Sequence, residues 1–138
     1  MKKRIFTGAG IAILTPMHED GSINFEEFGR LIDWQIENGT DAIIVCGTTG
    51  ECATMSEEEH LECIRFCQKH VAGRVPVVAG AGSNDTAFAV EMVKECGNIG
   101  VDGLLVVTPY YNKTSQRGLV AHYTKLAEAT DLPIIMYS

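Results

Sequence analysis

Apolar and polar positions fall in alternating blocks along this chain. Five short apolar runs stand out: GIAIL (10–14), AIIVC (42–46), VPVVAG (75–80), GLLVV (103–107) and LPIIMY (132–137). They are rich in valine and isoleucine and marked off by glycine or proline, a pattern that predicts strands buried on both faces. The longer stretches between them carry helical spacing. Phe25, Phe28, Ile32 and Ile36 form one apolar stripe, with Asn24 as N-cap and Gly39 as stop. Ser56 and Glu59 have the spacing of a capping box, and Leu61, Ile64, Cys67 and Val71 make the inward face of the helix they start. Residues 87–99 predict a third helix, and residues 116–129, capped by Ser115, a fourth.

The order is therefore strand, helix, strand throughout, in units of about 30 residues, as βαβ crossovers require. Such an order gives a parallel sheet with covering helices. Two architectures are open: a flavodoxin-like doubly wound domain, or part of a (β/α)8 barrel, which needs about 250 residues. A doubly wound domain would be expected to finish with a helix over its fifth strand, whereas this sequence stops at Ser138 on that strand. The reading adopted is α/β, with residues 1–138 forming the N-terminal part of one (β/α)8 barrel, five strands and four helices, and no second domain.

Charge and cysteine content narrow the function classes. The formal net charge of −7 over 138 residues argues against a nucleic-acid partner. No apolar run approaches the roughly 18 residues of a membrane span, and the N-terminal MKKRIF is not followed by a signal-peptide cleavage pattern. Five cysteines without framework spacing predict reduced thiols and a cytoplasmic location.

In either architecture, ligands gather at the carboxyl ends of the strands. Those ends carry Thr15-Pro16, GTTGE (47–51), GAGSN (80–84), TPYYNK (108–113) and Tyr137, so Thr15, Thr48, Thr49, Ser83, Thr108, Tyr110, Tyr111 and Tyr137 bring hydroxyls to one face. Hydroxyls relay protons and hold carboxylates but are weak nucleophiles alone. The glycines flanking the two threonines are expected to supply the tight turn. GAG at 8–10 and at 80–82 lacks the third glycine of a dinucleotide fingerprint. His60, Cys63 and Cys67 share a helix face, which reads as packing on the sheet in preference to a metal site. Asp41 and Asp102 precede strands and read as structural. A receiver domain needs an aspartate after strand three and a lysine after strand five, where this chain has Ala79-Gly80 and Tyr137.

CGTTGE followed by a serine-capped acidic helix, then PVVAGAGSN, LLVVTPYYNK and LPIIMY, in this order and spacing, resembles the dihydrodipicolinate (4-hydroxy-tetrahydrodipicolinate) synthase family. The resemblance implies a (β/α)8 barrel that condenses pyruvate with L-aspartate 4-semialdehyde through a lysine imine, in lysine and diaminopimelate biosynthesis. It implies no metal or organic cofactor and a homo-oligomer, dimer or tetramer. It assigns Thr48 and Tyr137 to a proton relay completed by Tyr111 of a neighbouring subunit, and Thr49 to the cradle for the pyruvate carboxylate. Ala53, His60, Asn84 and Tyr110 match a regulatory lysine pocket, while Glu57 and Phe88 depart from it. The family's imine lysine belongs to a sixth strand, and Lys2, Lys3, Lys69, Lys94, Lys113 and Lys125 do not match it.

Overall fold

The computed structural model describes residues 4–138, so Lys2 and Lys3 lie outside the described residues. Strands β1 (Gly10–Ala12), β2 (Ala42–Val45), β3 (Val77–Gly80), β4 (Gly103–Val107) and β5 (Ile134–Tyr137) alternate with helices α1 (Phe25–Glu37), α2 (Glu57–Val71), α3 (Thr86–Ile99) and α4 (Gln116–Glu128). Helix starts follow the caps: Asn24 accepts from the Glu27 amide, Ser56 and Glu59 form the reciprocal box, and Ser115 accepts from the Gly118 amide. The third helix begins one residue earlier than its spacing suggests, because Asp85 caps it by accepting from the amides of Ala87 and Phe88.

All strands are parallel and run β1-β2-β3-β4-β5 across the sheet. A flavodoxin-like domain places its second strand outside its first. Here no strand is displaced, so each crossover steps the same way, and right-handed crossovers then put every helix on one face. Helices α1 to α4 pack side by side in sequence order against that face. This is the arrangement of half a (β/α)8 barrel.

The core lies between sheet and helices. Ile43, Val45, Ala79, Leu104 and Val106 face Phe28, Ile32, Leu61, Ile64, Cys67, Val71, Met92, Val93 and Leu126, all buried. Apolar burial on this scale, about 25 cal/mol per Å², is the main stabilising term. His60 and Cys63 belong to this packed layer: His60 bonds the Gly80 carbonyl, and the Cys46 thiol donates to the His60 carbonyl. Asp41 accepts from the Ala9 amide at 2.8 Å and Asp102 from the Val77 amide at 2.9 Å, so both tie down strand starts.

Burial on both faces holds for β3 but not for the outer strands. Ala12, Met136 and Tyr137 are exposed, because the helices cover only one face of the sheet. The first strand is also shorter than its apolar run, although Ile13 still donates to the Ile44 carbonyl at 3.0 Å.

Candidate functional site

The turn after β2 is built differently from the sequence expectation. Its left-handed residues are Cys46 (φ 55°) and Glu51 (φ 57°), not the glycines. Gly47 is extended, and Thr48–Gly50 forms a single 3-10 turn closed by the Gly50 amide on the Gly47 carbonyl at 2.9 Å. Gly50 sits close to β1: a Cβ there would stand 3.3 Å from both the Ile13 carbonyl oxygen and Thr15 Oγ1, a tight contact. Thr15, buried, donates its hydroxyl to the Gly50 carbonyl at 2.8 Å and so ties the exit of β1 to this turn.

Beside the turn lies a cavity of about 270 Å³. Its apolar wall is Ala12, Ile44, Leu105 and Val107, and its polar side holds Thr48, Thr49 and Tyr137. The strand register explains the grouping: Ala12 pairs with Ile44, Gly80 with Leu105 and Val107 with Tyr137, so the face away from the helices lines up across the sheet. The volume suits a molecule of a few heavy atoms, at the lower end of ligand sites. The Thr48 and Thr49 hydroxyls on the polar side are donors that a carboxylate can accept from.

Two glycines keep the cavity open. A Cβ on Gly80 would collide with the Cys46 carbonyl, and one on Gly82 would stand 2.5 Å from the Val107 amide. Cys46 and Cys52 also line the cavity. The hydrogen bond with the Cys63 thiol, and then burial, push the Cys46 thiol well above its ordinary range, and burial raises Cys52. Both stay protonated at neutral pH, so neither is a ready nucleophile.

Of the hydroxyls expected at this end of the sheet, the cavity collects only Thr48, Thr49 and Tyr137. Thr15 is engaged with Gly50, and the Ser83 hydroxyl accepts from the Asp85 amide. Tyr110 and Tyr111 lie on the loop after β4, with rings edge to face at 6.2 Å. Tyr111 is 94% exposed. Ala53 is exposed in a second 3-10 turn, His60 is buried under Gly80, and Asn84 exchanges hydrogen bonds with Asn112. None of these three, nor Tyr110 or Tyr111, lines the cavity.

The described lysines are placed elsewhere. Lys69 lies on α2, Lys94 on α3 paired with Glu91 at 2.9 Å, Lys113 in the loop after β4 and Lys125 on α4. Sequence reasoning missed the apolar wall, the close backbone approaches that require glycine at 80 and 82, and the bond from Thr15 to Gly50. Only the strand alternation could have shown the wall, since its residues are apolar on both faces. Among the described residues, no helix is long and apolar enough to cross a membrane.

Comparison with known proteins agrees with this geometry. The sequence model of the Dihydrodipicolinate synthetase family matches residues 5–138. The chain is 58% identical over 134 residues to 4-hydroxy-tetrahydrodipicolinate synthase of Thermoanaerobacter sp. strain X514, covering 97% of this chain and 45% of that protein. It thus spans about half the length of the curated relatives it matches. The crystal structure of dihydrodipicolinate synthase from Aquifex aeolicus superposes with a TM-score of 0.93 at 48% identity, over 96% of this chain and 45% of that one. The chloride-inhibited dihydrodipicolinate synthase of Acinetobacter baumannii, complexed with pyruvate, gives 0.95 at 44% identity, over 98% of this chain and 46% of that one. With a match across nearly its whole length and the half-barrel that this family shares, the chain belongs to the dihydrodipicolinate synthetase family.

Proposed function

We propose that the full-length protein condenses pyruvate with L-aspartate 4-semialdehyde to 4-hydroxy-tetrahydrodipicolinate, a lyase step of lysine and diaminopimelate biosynthesis carried out in the cytoplasm. The observation that carries this reading is the cavity in which Thr48, Thr49 and Tyr137 meet from two strand exits against an apolar wall. It offers hydroxyls to a carboxylate and an apolar surface to a methyl group, the two ends of pyruvate.

The chemistry starts with an amine attacking the pyruvate ketone. Water leaves, the imine forms, and loss of a methyl proton gives the enamine that attacks the aldehyde, whose oxygen takes up a proton. The semialdehyde's own amine then attacks the imine carbon, closing the ring and releasing the lysine. The amine belongs to a lysine in the remaining length of the relatives. The residues of this chain hold and shuttle. Thr49 and its neighbouring amides orient the carboxylate. Thr48 and Tyr137 pass protons, with Tyr111 of a neighbouring copy completing the relay. Free tyrosine titrates near 10, so a chain of hydrogen-bonded hydroxyls moves protons without any member staying ionised. The reaction needs no metal or organic cofactor. Shared sites make the enzyme a homo-oligomer, dimer or tetramer.

The test is the full-length protein supplied with both substrates. Product should form, Thr48→Val and Tyr111→Phe should each lower turnover, and mixing these two variants should restore part of it. Product from pyruvate with a different aldehyde, and none from aspartate semialdehyde, would move the protein to another pyruvate lyase. Mixed oligomers that form without rescue would remove the shared site.

A further inference from the structure

Tyr111 is almost wholly exposed, yet its backbone is held in an unusual conformation. Its φ is 64°. The Asn112 amide donates to the Tyr110 carbonyl at 2.8 Å, a bond from residue i+2 to residue i that closes a γ-turn centred on Tyr111. Turns of this kind with positive φ are rare and strained. Lys113, two residues on, is left-handed as well, at 48°. An exposed loop carrying two such residues relaxes unless its surroundings over-determine it.

The restraint comes from the Asn112 side chain. Its Nδ2 donates to the Asn84 carbonyl at 2.8 Å, and its Oδ1 accepts from Asn84 Nδ2 at 3.3 Å. Both ends of one amide are therefore engaged on the loop after β3, which the next turn of chain roots firmly: the Ser83 hydroxyl accepts from Asp85, and Asp85 caps α3. The other neighbour of Tyr111, the ring of Tyr110, belongs to the same loop and moves with it. A strained turn fixed to a rooted loop, and presenting a phenol to solvent, is an arrangement for aiming that phenol.

We infer that Asn112 is a positioning residue: through its two hydrogen bonds to Asn84 it holds the Tyr111 γ-turn and so sets the direction in which the Tyr111 hydroxyl projects. The value of that direction rests on the function proposed above, in which Tyr111 serves a neighbouring site. The amide is required in full. Aspartate keeps the acceptor but loses the donor and sets a carboxylate against the Asn84 carbonyl; alanine loses both.

The experiment compares Asn112→Ala, Asn112→Asp, Tyr111→Phe and the Asn112→Ala/Tyr111→Phe double variant in the full-length enzyme, with two readouts. In kinetics, Asn112→Ala should lower kcat by about tenfold or more while leaving KM for pyruvate nearly unchanged, as misplacing a reacting group does. The double variant should be no slower than Tyr111→Phe alone, because the two changes remove the same thing. In hydrogen exchange, the amide of residue 112 should be protected in the wild type and exchange at least about tenfold faster in both Asn112 variants, since its bond to Tyr110 depends on the turn. Unchanged kcat, or effects that multiply in the double variant, would overturn the inference, and so would unchanged exchange. If Asn112→Ala fails to fold, Asn112→Asp carries both readouts with the same outcomes. A wild-type protein without synthase activity would sink the proposed function instead, and hydrogen exchange would still decide whether Asn112 holds the turn.

Discussion

His60 Nε2 stands 2.8 Å from the carbonyl oxygen of Gly80, joining α2 to the end of β3 directly beneath the candidate site. A carbonyl only accepts, so the proton sits on Nε2 and the neutral ring needs none on Nδ1. Burial disfavours the imidazolium and lowers the His60 pKa below its ordinary 6.5.

Stability should therefore depend on this ring in a defined direction. As pH falls through about 6.5, the unfolded chain takes up a proton that folded His60 refuses, so stability drops until the lower folded pKa is reached. The lowered Asp33, Asp20 and Glu59 carboxylates act in the acid range beneath that window. Denaturant melts of the full-length protein between pH 7 and 5 should show the loss, and His60→Gln, which keeps a donor for Gly80 and cannot titrate, should reduce it, leaving the part due to His122, whose pKa burial also lowers. Equal slopes in both proteins would contradict this.

Gly80→Ala should be far more damaging than an added methyl group suggests. The new Cβ meets the carbonyl of Cys46, whose carbon would lie 2.6 Å away, and the Gly47 amide at 3.0 Å. Both are backbone atoms, so the clash cannot be relieved by a rotamer change and must displace the turn that carries Thr48. A stability loss of about 3 kcal/mol is expected, together with weakened pyruvate binding. Thermal unfolding and pyruvate titration of the variant would read both. A variant as stable as the wild type would show that the turn gives way freely.

Feedback inhibition by lysine should be weak or absent in the full-length enzyme. The resemblance to this family implies that Ala53, His60, Asn84 and Tyr110 correspond to a regulatory lysine pocket, with Glu57 where sensitive members would carry a histidine and Phe88 where they would carry an acid. Losing a charged partner for the effector's amine removes about 1.5–3 kcal/mol, more than tenfold in affinity. The local bonding points the same way, since His60 and Asn84 already serve Gly80 and Asn112. An inhibition curve with lysine at sub-millimolar half-effect would refute it.

Much of this fold was legible in the sequence because its signals are local. Asn24, Ser56 and Ser115 cap helices as their spacing indicates, and apolar runs of four or five residues between helical stretches leave little choice but a parallel sheet. The strand order had to come from three dimensions, because a doubly wound domain and a barrel use the same local units. The site was legible in part. GTTGE and Tyr137 sit at strand ends, which sequence can locate, and the cavity holds Thr48, Thr49 and Tyr137. What sequence could not supply was contact between distant exits: Thr15 on Gly50, Asn112 on Asn84, and the Cβ-free approach of Gly80 to Cys46. The glycines of GTTGE misled for the same reason, since glycine answers to close approach as well as to positive φ.

In the proposed reaction pyruvate is held by this half of the barrel and captured by an amine outside it. At neutral pH a surface lysine, with pKa near 10.4, is uncharged in only about one molecule in 2,500. Lys69, Lys94 and Lys125 are exposed on helices and Lys113 is in an exposed loop, and none of the four lines the cavity. The full-length protein and the 138-residue chain are incubated separately with pyruvate, reduced with borohydride, digested and weighed. One reduced adduct per full-length chain is expected, on a single lysine beyond Ser138, with its yield cut by Thr49→Val, and no specific adduct on the shorter chain. A stoichiometric adduct on Lys113, Lys125 or any other lysine within residues 1–138, or none on the full-length protein, would contradict this.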